Sequence, residues 1–131
     1  MTFRYFAQAG LALAVVVLTT IGAAAADRKT FDDKAFAAAQ TQGKSILIDI
    51  SAPWCPTCQA QKPIIQKLSA EPQYKDLTIF DVDFDTRKDV LRKFGAQMQS
   101  TLIVFKGDKE TARSVGATSE SAIDALMRKA L

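Results

Sequence analysis

The sequence has 131 residues and only two cysteines, Cys55 and Cys58, in the run Trp54-Cys-Pro-Thr-Cys58. A crosslink spanning three residues makes a poor structural staple, because so short a loop takes little freedom from the unfolded chain. A structural zinc ion needs about four ligands. With two thiols and no histidine, a metal site within one chain is not expected. The lack of histidine also removes the commonest general base. Catalysis must therefore fall to cysteine, carboxylate, lysine or tyrosine. A C-x-x-C at a helix start is best explained by thiol–disulfide chemistry, which a thiolate carries out without a separate cofactor. One carboxylate stands out nearby. Asp49 interrupts the otherwise apolar Ile46-Leu-Ile-Asp-Ile50. It is either a solvated residue at a strand edge or a satisfied buried polar group, and so apolar a run argues against the first.

The elements around these residues follow from patterning. Ile46–Ile50 suits a central strand covered on both faces. It leads into a tight turn, and the cysteines open a helix that continues from Gln59 to Leu68. Ile64, Ile65 and Leu68 face the core, and Pro63 is expected to kink it. Before this unit, Arg28–Phe31 reads as a short edge strand. Asp32 or Asp33 then caps a helix to about Thr41 that buries Phe31, Ala35, Phe36 and Ala39. Gly43 ends it. After the unit, Leu77–Asp83 is a strand and Thr86–Phe94 a helix closed by Gly95. Thr101–Phe105 is a strand, Lys106–Lys109 a hairpin turn, and Glu110–Val115 returns antiparallel. Gly116 allows a bend. Ser119 caps a final helix packed through Ile123, Leu126 and Met127. The order β-α-β-α-β-α-β-β-α predicts an α/β fold, a mixed sheet with helices on both faces. Asp81, Asp83 and Asp85 alternate with apolar residues, which fits a solvated face better than a ligand cluster.

Composition fits one globular domain, with 48% hydrophobic and 24% charged residues. A net charge of +3 from scattered basic residues argues against a nucleic-acid partner. Residues 1–26 stand apart. Arg4 precedes an uncharged run of 22 residues, Tyr5–Ala26, with Leu11–Leu18 at its centre and Gly22-Ala-Ala-Ala-Ala26 at its end. This is the pattern of a signal peptide cleaved after Ala25 or Ala26. An uncleaved anchor is the competing reading, since the run is long enough to span. Gln8, Thr19, Thr20 and Gly22 make it a poor span. Residues 27–131 then form the mature domain, exported to the periplasm or its equivalent.

That domain resembles a thioredoxin over residues 28–131. The carrying residues are Ile46-Leu-Ile-Asp-Ile-Ser-Ala-Pro-Trp-Cys-Pro-Thr-Cys58, Pro63, Asp85, Phe94-Gly95, Thr101-Leu-Ile-Val-Phe-Lys106 and Val115-Gly-Ala117. The resemblance implies a thioredoxin fold and a protein thiol–disulfide oxidoreductase acting in redox homeostasis. Cys55 is then the attacking thiolate, its pKa lowered to roughly 7 or below by the helix start. Cys58, one turn in and less exposed, is the resolving thiol, within disulfide geometry of Cys55. Asp49 becomes the buried proton shuttle of the family, since burial raises a carboxyl pKa toward neutrality. Trp54, Pro56, Thr57, Gln99 and Ser100 are the candidate substrate-binding residues, with Met98 a possible addition. The Thr57 hydroxyl is a candidate donor to the Cys55 sulfur.

Two departures from the family stand out. Ser100 occupies the position of the usual cis-proline, so a trans Gln99–Ser100 bond is expected. Asp81 stands where a lysine usually accompanies the buried aspartate, so the ion-pair partner of Asp49 is expected to be missing. The implied partners are protein thiols and disulfides and a membrane-bound redox protein, with the chain itself a monomer. Asp49 favours a reductase, whereas Pro56 and an oxidising compartment favour an oxidase or isomerase. The alternative from another class is a binding module that holds copper or zinc through the Cys55/Cys58 pair.

Overall fold

The computed structural model describes residue 22 and residues 24–131. Most of the proposed signal peptide, residues 1–21 and 23, lies outside the described residues. In chain order the elements are β1 (Asp27–Thr30), α1 (Asp33–Thr41), β2 (Ser45–Ser51), α2 (Pro56–Ser69), β3 (Leu77–Asp83), α3 (Lys88–Phe94), β4 (Thr101–Lys106), β5 (Lys109–Val115) and α4 (Glu120–Arg128). A single 3-10 turn, Pro72–Tyr74, leads into β3.

The five strands form one sheet in the order β1-β3-β2-β4-β5. β1 and β2 both run parallel to β3, and β4 runs antiparallel to β2 and β5. β2 is therefore the central strand, and its residues Ser45–Ile50 are all buried. This is the mixed sheet that the residue pattern predicts.

Strand periodicity sorts β2 between two cores. Ile46, Ile48 and Ile50 pack on one face with Phe31, Phe36, Phe80, Phe94 and Phe105. These rings meet at centroid separations of 5.4–5.9 Å, mostly edge to face. Edge-to-face contact suits the aromatic quadrupole and adds about 0.5–1.5 kcal/mol per pair beyond burial. Leu47 packs on the other face with Ile65 and Leu68 of α2 and Ile123, Leu126 and Met127 of α4. The same alternation sends Asp49 toward the α2 face, where the cysteines lie.

The ends of the elements behave as their residues dictate. The Asp32 carboxylate caps α1 by accepting from the Ala35 amide, and Ser119 caps α4 by accepting from Ala122. Gly95 closes α3 at φ 60°, a left-handed conformation open to glycine. α2 runs through Pro63 as one helix. α3 starts at Lys88 rather than Thr86. The reason is Asp83, whose Oδ1 accepts from the Asp85 and Thr86 amides and the Thr86 hydroxyl at 2.8–2.9 Å. That turn consumes the residues that the apolar spacing assigns to the helix, and these bonds hold the Asp83 carboxyl below the usual carboxylate range.

Candidate redox site at the start of the second helix

β2 ends at Ser51, and a short turn, Cys55 N–H to Ala52 C=O at 3.2 Å, carries the chain into α2. Cys55 is the N-cap. Its backbone is extended, at φ −83° and ψ 112°, and its Sγ accepts from the Cys58 amide at 3.1 Å. Pro56 fills the first helical position, where a missing N–H costs nothing. Cys55 and Cys58 are joined as a disulfide, with Cα atoms 5.3 Å apart. Free helix amides and the aligned peptide dipoles favour negative charge at the Cys55 sulfur. The donor that reaches this sulfur is the Cys58 amide rather than the Thr57 hydroxyl.

The burial order differs from the expectation. Cys55 is 1% exposed and Cys58 5%, so in the disulfide form the outer cysteine is no more accessible than the inner one. The exposed groups at the site are its neighbours. Pro56 is exposed, Thr57 half-buried and Trp54 57% exposed. The Trp54 indole donates to Asp85 Oδ2 at 2.9 Å, which fixes a large apolar surface beside the disulfide.

The loop before β4 forms a second wall. The Gln99–Ser100 bond is trans, since there is no cis peptide bond among the described residues. Ser100 is buried and adopts φ 55°, the left-handed region that β-carbon-bearing residues rarely enter. Its carbonyl accepts from the Gly116 amide at 2.9 Å and from Gln61 Nε2 at 3.3 Å. Gln61 also donates to the Ala117 carbonyl at 2.9 Å, so this buried side chain ties the cysteine helix to the loops before β4 and after β5. Sequence reasoning missed Gln61. Its position three residues after Cys58, on the inner face of α2, was the available signal. Gln99 is half-buried, and Met98 is 52% exposed.

Asp49 is 4% exposed. The expectation that it lacks a cation is wrong. Arg28 of β1 donates from Nη2 to Asp49 Oδ2 at 2.8 Å. The same guanidinium bonds Asp81 through Nε at 2.9 Å and Nη2 at 2.5 Å. β1 lies beyond β3 in the sheet, and Thr30 pairs with Asp81, which pairs in turn with Asp49. Arg28 spans these strands from the edge. A comparison of matching positions cannot find it, because the cation comes from a different strand. Burial pushes the Asp49 carboxyl up; the Arg28 charge opposes this and the Asp81 charge adds to it. Asp49, Cys58, Arg28, Lys62 and Asp81 all line one cavity of about 490 Å³. Among the described residues, no group of three or more His, Cys, Asp or Glu side chains is placed to hold a metal ion.

A disulfide at a helix N-terminus beside a central strand, with a buried carboxylate behind it, defines a dithiol redox site. The Thioredoxin family model matches residues 27–129. Thioredoxin Asp f 29 of Aspergillus fumigatus is 31% identical over 91 residues, covering 70% of this chain and 79% of that one. The thioredoxin of Chlamydia muridarum is 36% identical over 84 residues, covering 64% and 80%. The bifunctional thioredoxin reductase/thioredoxin of Mycobacterium leprae is 32% identical over 92 residues, and the match spans only 20% of that longer protein. Among solved structures, Trxlp of Edwardsiella tarda superposes with a TM-score of 0.74 at 42% identity, covering 76% of this chain and 98% of that one. The chain belongs to the thioredoxin family of thiol–disulfide oxidoreductases.

Proposed function

We propose that the protein is an exported reductase of protein disulfides, with Cys55 as nucleophile, Cys58 as resolving thiol and Asp49 as proton acceptor. The observation that carries this reading is the Cys55 sulfur at the start of α2, with Cys58 and Asp49 lining one cavity behind it. In the reduced protein the Cys55 thiolate attacks a substrate disulfide, and a mixed disulfide forms as one substrate thiolate departs. Asp49 then takes the proton of Cys58. The Cys58 thiolate attacks the Cys55 sulfur, forming the Cys55–Cys58 bond and releasing the second substrate sulfur. The substrate gains two electrons and the dithiol loses them. Trp54, Pro56, Thr57, Gln99 and Ser100 form the surface against which an extended substrate segment lies. Export rests on the Arg4, Leu11–Leu18 and Ala23–Ala26 pattern. In an oxidising compartment the dithiol needs a membrane-bound electron donor, and the protein acts as a monomer. No helix among the described residues is long and apolar enough to cross a membrane.

The test combines trapping with electrochemistry. Cys58→Ser should accumulate mixed disulfides on Cys55, and Cys55→Ser should neither form them nor reduce insulin. A reduction potential near −270 mV is expected, whereas one near −120 mV would make the protein an oxidant instead. Sequencing of the exported protein should begin at Ala26 or Asp27.

A further inference from the structure

One guanidinium serves two carboxylates at this site. Asp81 takes the forked pair of contacts, through Nε and Nη2, and Asp49 takes a single contact from Nη2. The side chain of Asp81 is 38% exposed, that of Arg28 32% and that of Asp49 6%. The arrangement grades from solvent to interior, with the cation between. We propose that Arg28 is the positioning residue that sets the pH at which Asp49 exchanges its proton with Cys58, and that Asp81 tunes it by withholding part of the guanidinium. This proposal rests on the shuttle reading of Asp49 and adds the groups that govern it.

The physical argument concerns competition. A carboxylate beside an arginine keeps its negative charge more readily, and one beside another carboxylate less so. Asp49 has both neighbours at once. An arginine cannot lose its own charge in this range, so it acts as a fixed cation. Its planar fork satisfies Asp81 bidentately, which aims the remaining Nη2 contact at Asp49. The other charged groups around Asp49 are Lys62 of α2 and Asp83 of β3, both lining the same cavity; β4 presents the apolar Leu102 opposite it. Arg28 is the only cation among the described residues within hydrogen-bonding distance of Asp49.

The test reads the carboxyl and the chemistry separately. Carbon-13 NMR titration of the Asp49 carboxyl in the oxidised protein reports its acidity. The pH profile of mixed-disulfide resolution reports its use. Arg28→Gln should move both midpoints up by about one pH unit or more, since an adjacent arginine lowers an aspartate pKa by about 1–3. At a fixed pH below the midpoint, resolution should slow about tenfold for each pH unit by which the midpoint rises. Arg28→Lys keeps the charge without the fork and should fall between Arg28→Gln and the natural protein. Asp81→Asn should move both midpoints down, because a like charge is lost and Nη2 is freed for Asp49. An unmoved carboxyl titration in Arg28→Gln, or a midpoint that also rises in Asp81→Asn, would overturn the proposal. A carboxyl titration that moves while resolution keeps its profile, even in Asp49→Asn, would sink the shuttle and leave the guanidinium bridge standing.

Discussion

Ser100 and Asp49 show what single residues cost and contribute. Ser100 holds φ 55°, while proline is locked near −65°. Placing the usual family proline here demands that the loop be rebuilt. Ser100→Pro should therefore lose about 3 kcal/mol or more of stability, read as a fall in the denaturant midpoint. Asp49 has a raised folded-state pKa with burial as the leading cause. A raised carboxyl favours the folded state fully only below the unfolded value of about 4, and that contribution is lost as pH rises through the folded pKa. Asp49→Asn should thus be more stable than the natural protein at pH 8, with the gain vanishing below about pH 4. Thermal melts at the two pH values check it. A variant less stable than the natural protein at pH 8 would show that the Arg28 bridge outweighs desolvation. At this scale the cysteines, Asp49 and the trans bond before Ser100 were legible from residue type and spacing. Arg28 and Gln61 were not, because their roles arise from contacts across strands and between α2 and distant loops.

Helices and strands carried the clearest signal. Apolar runs located β2, β3 and β4, the turn after β4 located β5, and the caps at Asp32, Gly95 and Ser119 located helix ends. The start of α3 was misplaced because Asp83 draws the following amides into a turn, a side-chain contact that apolar spacing does not report. The face formed by α1 and the sheet rests on Phe36, which is 3% exposed and packs against four other phenylalanines. Phe36→Ala should cost about 3–5 kcal/mol. Because Phe36 packs in a cluster separate from that of Cys55 and Cys58, the two meeting only at Phe84, the variant that remains folded should keep its reduction potential. Urea denaturation and redox equilibration separate the two effects.

The described residues form a five-stranded sheet with an aromatic core on one face and an aliphatic core on the other, and the dithiol sits in a small cluster of its own beside Ala52 and Phe84. This division was readable in outline, since β2 alternates between the two faces and Asp49 shares the phase of Leu47. The sheet also ties the redox site to its own margin. β1 is four residues long, every one of them exposed, and β3 is the one strand it pairs with. Edge segments of this kind open locally at little free-energy cost while the core stays folded. When β1 peels away, Arg28 leaves with it, and Asp49 loses its hydrogen-bonded cation while Asp81 stays beside it. By reciprocity, ionisation of Asp49 must clamp β1 in place to the same extent that β1 acidifies Asp49. The strand works as a latch whose grip depends on the protonation of the redox site. A partner that pulls on the outer edge of β1 would reach the thiol chemistry through that latch without touching either cysteine.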